Sequence, residues 1–380
     1  MIYADNAATT RMSRAAIQKM TEVMEGSFGN PSSLYAIGRE AKVILEQARD
    51  QVASVIHAQP GEILFTSGGT EADNQAVLSA ADLGREAGKM HIVSSAFEHH
   101  AVLHSLQKLQ REGFDVTLLD VHEDGIIRPA ELESAIREDT CLVTIMTANN
   151  EIGTIQPVRE IGRICRRRSV LFHTDAVQAV GHISVDVTAD QIDLLSASAH
   201  KFHGPKGVGF LYARKGIRLS GLLEGGAQER GLRAGTENVP GIAAMAVALQ
   251  ETAAAMPAVI PALSAKRDRL IRGLLEIPDT VLNGDPHSRL PGNVNVSFAG
   301  ISAEPLLLLL DQKGIQASSG SACTSGALDP SHVLLALGRS GDEARGSLRL
   351  TLGEDISDRD VGQIITAVSE TVQHLRQFHF

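Results

Sequence analysis

Two short stretches of this sequence carry residues whose types and spacing could do covalent chemistry. The first is Ser-Ala-His-Lys-Phe-His-Gly-Pro-Lys-Gly at 198–207, in which Lys201 lies between two apolar runs. Burial disfavours the charged form of a lysine, and the free amine is then a nucleophile able to form a Schiff base. Taken alone, the same lysine also suits a surface loop. The second stretch is Ser-Ser-Gly-Ser-Ala-Cys-Thr-Ser-Gly at 318–326. It offers no apolar neighbours to bury Cys323, so this thiol is expected to be exposed, mobile and available as a nucleophile, with an incidental free thiol as the alternative. Cys141, in Cys-Leu-Val-Thr-Ile-Met, and Cys165, in Ile-Gly-Arg-Ile-Cys, suit buried structural positions. Three cysteines without a Cys-x-x-Cys pattern point to reduced thiols and not to a disulfide frame or a zinc cluster.

Further polar clusters follow predicted strands. Phe97-Glu98-His99-His100, Ala148-Asn149-Asn150-Glu151 and Asp175-Ala176-Val177-Gln178 each sit where a strand is expected to end, upstream of Lys201. Gly68 and Gly69, in Ser-Gly-Gly-Thr, lead from a strand into a helix, and the unpaired N–H groups and positive dipole end there make a phosphate cradle. Ser-Leu-Arg-Leu-Thr-Leu-Gly at 347–353 puts Arg349 on a strand. Its planar fork matches a carboxylate in two bonds, or it makes a structural salt bridge.

The elements that must position these groups alternate. Strands are predicted over 63–66, 90–94, 116–120, 141–147, 170–174, 193–195 and 207–212, with helices opening near Ala101, Pro129 and Val158. This pattern specifies a mostly parallel sheet with helices on both faces and ligands at the carboxyl ends of the strands. An amphipathic helix begins near Ile37, after Asn-Pro-Ser-Ser. The composition shifts between Pro257 and Pro261, which divides the chain into a large domain, 13–257, and a small domain of 1–12 with 258–380. Leu306–Leu310 reads as a buried helix.

Composition narrows the function classes. At 380 residues the chain has the composition of an ordinary globular protein, and its net charge of −10 argues against a general nucleic-acid or anionic-membrane binder, so no direct nucleic-acid or membrane partner is expected. Its one basic run, Arg166–Arg168, reads as a solvated helix end. No signal precedes Ile2-Tyr3-Ala4-Asp5 and no apolar run is read as a membrane span, so a cytoplasmic location is expected.

Together these motifs resemble the fold-type I pyridoxal-phosphate enzymes, and among them the cysteine desulfurases of the class V aminotransferase family with a long catalytic-cysteine loop. The likeness runs from Tyr-Ala-Asp-Asn-Ala-Ala-Thr-Thr at 3–10 through Phe-Gly-Asn-Pro-Ser-Ser, Ser-Gly-Gly-Thr-Glu-Ala-Asp-Asn, Glu-His-His-Ala-Val, Asn-Asn-Glu-Ile-Gly, Asp-Ala-Val-Gln and Arg-Ala-Gly-Thr-Glu-Asn to the Cys323 and Arg349 segments. The resemblance implies an aspartate aminotransferase-like fold, α/β, with a seven-stranded sheet in the large domain and a smaller α+β domain. It implies pyridoxal 5'-phosphate bound covalently to Lys201, with Gly69, Thr70, Ser198 and His200 on the phosphate. Asp175 would face the pyridine nitrogen, Asn150 and Gln178 would bond the ring, and His99 would lie on the ring face and shuttle protons. Arg349, with Asn150, would hold the carboxylate of L-cysteine, and Cys323 would take the sulfur as a persulfide and release L-alanine. Thr236 would reach the phosphate of a neighbouring subunit, which implies a homodimer. An iron–sulfur scaffold or another sulfur-acceptor protein is the implied partner, and Cys323 is also a conceivable iron–sulfur ligand, with no other metal site implied.

Gly69 stands where many relatives carry alanine, and the chain ends at Phe380 without the longer tail that scaffold-docking members use. Three rivals remain. Another class V enzyme, such as a selenocysteine lyase or a transaminase, would not need the loop thiol. A silent sulfur-carrier relative should have lost Lys201, Asp175, His99 or Cys323. A nucleotide-binding oxidoreductase would need a Gly-x-Gly-x-x-Gly or P-loop motif, and neither occurs.

Overall fold

The computed structural model describes residues 1–319 and 330–377. The chain opens with β1 (Ile2–Tyr3), α1 (Arg14–Gly26) and α2 (Ala36–Val55) and then alternates: β2 (Ile63–Thr66), α3 (Gly69–Glu86), β3 (His91–Ser95), α4 (His100–Arg111), β4 (Asp115–Leu119), α5 (Pro129–Ala135), β5 (Thr140–Thr144), α6 (Val158–Arg168) and β6 (Leu171–Asp175). β7 (Leu194–Ser198) and β8 (Gly209–Ala213) complete a seven-stranded sheet in the order β2-β8-β7-β6-β5-β3-β4. β3 to β7 pair in parallel, and β8 runs antiparallel to both of its neighbours.

The strands are apolar on both faces because helices cover both faces. Successive side chains point to opposite sides. Leu64, Ile92, Leu142, Leu194 and Leu211 therefore enter a core with α3 and α4, while Phe65, Val93, Val143, Leu195 and Phe210 enter the larger core on the other side with α2 and α6. Strand positions match the expectation to within a few residues. β5 is the exception in length: it ends at Thr144, although the amides of Ile145 and Thr147 still donate to the carbonyls of His173 and Asp175.

α7 (Val239–Leu275) follows, and its 37 residues extend about 55 Å at the helical rise. Ile242, Met245 and Leu249 belong to the large core, whereas Leu263, Leu270 and Leu274 belong to a separate core. Pro257 and Pro261 lie inside this helix, and both are exposed, so the donors they lack fall where water can serve the freed carbonyls. By length and composition α7 could cross a membrane, contrary to the sequence expectation. Its packing against α1, α2 and both cores makes it a core helix.

The second core is built on β9 (Thr280–Leu282), β10 (Asn293–Phe298), α8 (Ala303–Gln312), β11 (Ile315–Gln316), α9 (His332–Ala336), α10 (Gly341–Arg345), β12 (Ser347–Thr351) and α11 (Asp358–Gln377). β12, β10 and β9 form an antiparallel sheet, and β1 pairs in parallel with β11. In α8 only one stripe of the leucine run is inside: Leu306 and Leu310 are buried, and Leu308 is 61% exposed. The buried helix read from that run is therefore amphipathic.

One buried ion pair joins α2, β2 and the segment ahead of α7. Arg49 Nη2 lies 2.6 Å from Glu229 Oε1, and Glu229 Oε2 accepts from Arg49 Nη1 and from the Phe65 amide, both at 2.9 Å. Both residues are about 95% buried. Removing one partner strands the other charge in the core. Glu229→Ala is expected to cost about 3–5 kcal/mol in urea unfolding; a loss below about 1 kcal/mol would contradict this reading of the pair.

Candidate active site

The 3₁₀ turn Ala199–Lys201 connects β7 to β8 at the carboxyl edge of the sheet. Lys201 Nζ donates to the carbonyls of Ala7 (2.7 Å) and Ala8 (2.8 Å). Those carbonyls come from the N-terminal segment, which is held at both ends. Thr351 bonds it through its amide to Ala4 O and through its hydroxyl to the Ala7 amide, while Thr10 bonds back to His200 O. Gln178 Nε2 also donates to Ala7 O, at 3.0 Å, so Lys201 and Gln178 converge on one carbonyl. His200 Nδ1 lies 3.2 Å from Thr9 Oγ1. Burial first, and then Lys201 and Lys206, push its pKa down to about 4, which leaves its ring neutral.

Beside the lysine, β6 ends on Asp175. Burial pushes this carboxyl up to about 6, although it accepts from the Val177 amide at 2.9 Å and feels Lys201. His99 is the N-cap of α4, and its Nδ1 accepts from the Ala101 amide at 3.2 Å, which puts the ring proton on Nε2. Burial, then Lys201, then neighbouring histidines bring its pKa down to about 4. Polar atoms of Asp175, His99 and Asp73 all lie within 4.8 Å of one another.

Asp73 had no local signal in the sequence, because it sits mid-helix in Thr-Glu-Ala-Asp-Asn. It lies one turn after Gly69, on the face of α3 that meets the strand ends. It is 1% exposed, its Oδ1 has no hydrogen-bond partner among the described residues, and burial beside Asp175 raises its pKa well above the carboxylate range. Glu98 is a further buried acid, pushed up to about 8 by burial while accepting from the Met146 amide and Ser95 Oγ. His173 lies between Thr144 Oγ1 (2.8 Å) and Ser196 Oγ (3.0 Å), and burial takes its pKa down to about 3.

The N-terminus of α3 opens on the same edge. Its N-cap, Gly68, has φ +148° and supplies no side chain to the first amides. A Cβ at Gly68 would lie 3.6 Å from Ser198 Oγ, and one at Gly69 would lie 2.6 Å from Val177 Cγ2. An alanine at 69 would therefore need Val177 to shift. Thr70, the second helical residue, is exposed.

Arg349 is 4% exposed on β12. Nη2 pairs with Asp5 Oδ1 at 2.9 Å, Nη1 donates to Asn150 O at 3.2 Å, and Nε is buried with no hydrogen-bond partner among the described residues. Both readings of this residue thus have support, since it makes a salt bridge and keeps a donor in hand. Asn150 is half-buried beside it. Thr236 is exposed in the loop ahead of α7, which an Arg233–Glu71 pair (2.9 Å) ties to α3. Cys323 lies outside the described residues. Cys141 and Cys165 are buried free thiols, and burial raises both pKa values, that of Cys141 to about 11.

These residues suit a phosphorylated aromatic cofactor with a basic ring nitrogen. Buried acids wait for a cation, an uncapped helix end waits for an anion, and an amine stands between them.

The sequence profile of the class-V aminotransferases matches residues 2–364, and the chain belongs to that family. Within it the chain falls among the cysteine desulfurases. It is 52% identical to cysteine desulfurase IscS of Methanosarcina thermophila, over 99% of this chain and 93% of that protein. It is 46% identical to cysteine desulfurase IscS of Clostridium botulinum, over 99% and 95%. Among solved structures, a NifS-like protein superposes with a TM-score of 0.92 at 37% identity, covering 98% of this chain and all of that one. SspA in complex with cysteine superposes with a TM-score of 0.82 at 35% identity, covering 93% and 99%.

The raised pKa of Asp175 has a sign that can be measured. The native state holds the proton more tightly than the unfolded chain, so in cofactor-free protein this group's contribution is complete at low pH. It is lost as pH rises from near 3.8 through about 6. Asp175→Asn, which mimics the protonated form, should make the cofactor-free protein more stable than wild type at pH 8, by on the order of 2 kcal/mol. That advantage should vanish towards pH 4 in denaturant titrations; an advantage independent of pH would contradict the assignment.

Proposed function

We propose that the protein is a pyridoxal 5'-phosphate-dependent cysteine desulfurase. It moves the sulfur of L-cysteine onto Cys323, releases L-alanine, and passes the sulfur to an iron–sulfur scaffold or another sulfur-acceptor protein. The observation that carries this reading is the convergence of Lys201, Gln178, Asp175 and His99 on the carboxyl edge beside the open end of α3. The names of its relatives point to the same substrate.

Gly69, Thr70, Ser198 and His200 would hold the cofactor's phosphate, joined by Thr236 of the partner subunit. Asp175 would pair with the ring nitrogen, Asn150 and Gln178 would bond the ring, His99 would lie on its face, and Lys201 would hold it covalently. Bound there, the ring supplies an electron sink for the bonding pair at the substrate's Cα.

The chain's own residues do the rest. Arg349 takes the substrate carboxylate, for which its unpartnered Nε is a ready donor. Lys201 Nζ takes the Cα proton, and the neutral His99 offers an Nε2–H close by. The Cys323 thiolate attacks the substrate sulfur. The S–C bond breaks with its electron pair kept by the substrate carbon, which is then protonated. Cysteine and a thiol become alanine and a persulfide, with no outside oxidant or reductant.

A homodimer, a cytoplasmic location and the division into domains 13–257 and 1–12 with 258–380 belong to this reading. Phe28, Leu34 and Tyr35 are 77%, 89% and 58% exposed, with Ile17 and Met24 of α1 also exposed, an apolar surface that a second copy would cover. The separate core around β10 and β12 supports the two domains, and the free thiols of Cys141 and Cys165 support a reducing compartment.

With a reductant present, wild-type protein should release L-alanine from L-cysteine, and Cys323→Ala should keep the cofactor's absorbance and lose that release. Equal release by both would defeat the mechanism. Arg349→Lys loses the planar fork and should raise KM for cysteine roughly tenfold or more, the worth of a charge-assisted hydrogen bond. An unchanged KM in steady-state kinetics would assign Arg349 to Asp5 alone.

A further inference from the structure

Beside the Lys201 site, but not part of it, three histidines gather where α9 meets α4. His100 and His104 are one turn apart on α4, so their side chains share a face. Their ring centroids are 5.1 Å apart at 36°. His332, the first residue of α9, brings its ring to 4.6 Å from that of His100, at 46°. The rings are neither stacked nor edge-on, His100 is the member common to both contacts, and the ligating nitrogens of the three do not all lie within 4.8 Å of one another, so the exposed His104 must turn to complete the set.

The hydrogen bonds decide which nitrogens are available. His332 Nε2 lies 3.0 Å from the carbonyl oxygen of Glu98, which can only accept, so Nε2 carries the proton and Nδ1 keeps its lone pair. A ring whose second nitrogen donates to a carbonyl is the arrangement that orients and strengthens a metal-bound histidine. The imidazoles of His100 and His104 make no hydrogen bond to a described residue. His100 and His332 are half-buried and His104 is exposed, so the cluster can be reached from solvent and His104 can turn about its side-chain bonds.

We propose that His100, His104 and His332 Nδ1 form a binding site for a divalent transition metal ion that favours imidazole, of the zinc, nickel or copper kind. Two imidazoles one helical turn apart are a recurrent half-site for such ions, and a third from another element adds the enclosure that a helix pair lacks. Three protein ligands leave a fourth position for water or a small ligand. The ion would tie the start of α9 to α4, whose N-cap is His99, and binding only the native state it would stabilise the fold.

Full-length holoenzyme, freed of adventitious metal with a chelator, would be titrated with Zn²⁺ by calorimetry and with Co²⁺ by its visible absorption. The expected result is saturable binding of one ion per chain with a Co²⁺ spectrum of nitrogen ligation. Affinity should fall at least about tenfold in His100→Ala and in His104→Ala. The cofactor's absorbance should stay unchanged, and His287→Ala, at an exposed site elsewhere, should bind like wild type. His104 is exposed, so its replacement tests the site without threatening the core. No saturable binding by wild type would leave the three rings as packing contacts. Binding that survives both His100→Ala and His104→Ala, or that is abolished by Asp175→Asn, would place the ion elsewhere. Either result overturns the proposal.

Discussion

The two hydrogen bonds from Lys201 Nζ to the carbonyls of Ala7 and Ala8 are the contact on which the rest of the structure turns. Each is a charge-assisted bond of modest net worth, and their importance is positional. The carbonyls are presented by an extended segment that carries no core of its own. It is held by β11 and β12 on one side and by His200 on the other. The amine is therefore placed only when the large sheet and the smaller layer have both formed and met. Arg349 depends on the same segment through Asp5, so the amine and the guanidinium proposed to take the substrate carboxylate are aligned by one strip of backbone.

Around that strip the protein accepts an electrostatic cost. Asp175, Asp73 and Glu98 are buried close together, and burial raises the pKa of each. His99 and His173, which could have neutralised them, are themselves held neutral by burial. A cluster of buried acids beside neutral imidazoles is poorly balanced by itself. A positively charged ring nitrogen, such as the proposed cofactor carries, would balance it.

Much of this was legible in the sequence because the signals were local. Hydrophobic runs of strand length placed the sheet, Gly68 and Gly69 marked the uncapped helix, and polar residues after the strands marked the carboxyl edge. What escaped was what only tertiary structure creates. Asp73 gains its character by packing against β6, four residues after a glycine that was noticed. The carbonyls of Ala7 and Ala8 have no side-chain signature at all. Pro257 and Pro261 read as punctuation, yet both sit on the exposed face of a continuous helix, where a missing amide costs little. Leu308 was hidden in a leucine run, which shows no period until helix packing chooses a face. The role given to Cys323 rests on its sequence context and the resemblance, since that residue lies outside the described residues.

The central claim is that the amine of Lys201 is the group that bonds a carbonyl-bearing cofactor. The direct measurement is reduction of the purified protein with borohydride, which turns such a linkage into a stable amine, followed by proteolysis and mass spectrometry. The expected result is the reduced pyridoxal phosphate adduct on the peptide that contains Lys201, absent from Lys201→Ala. An adduct on another lysine, or none in protein that carries the cofactor's absorbance, would contradict the account.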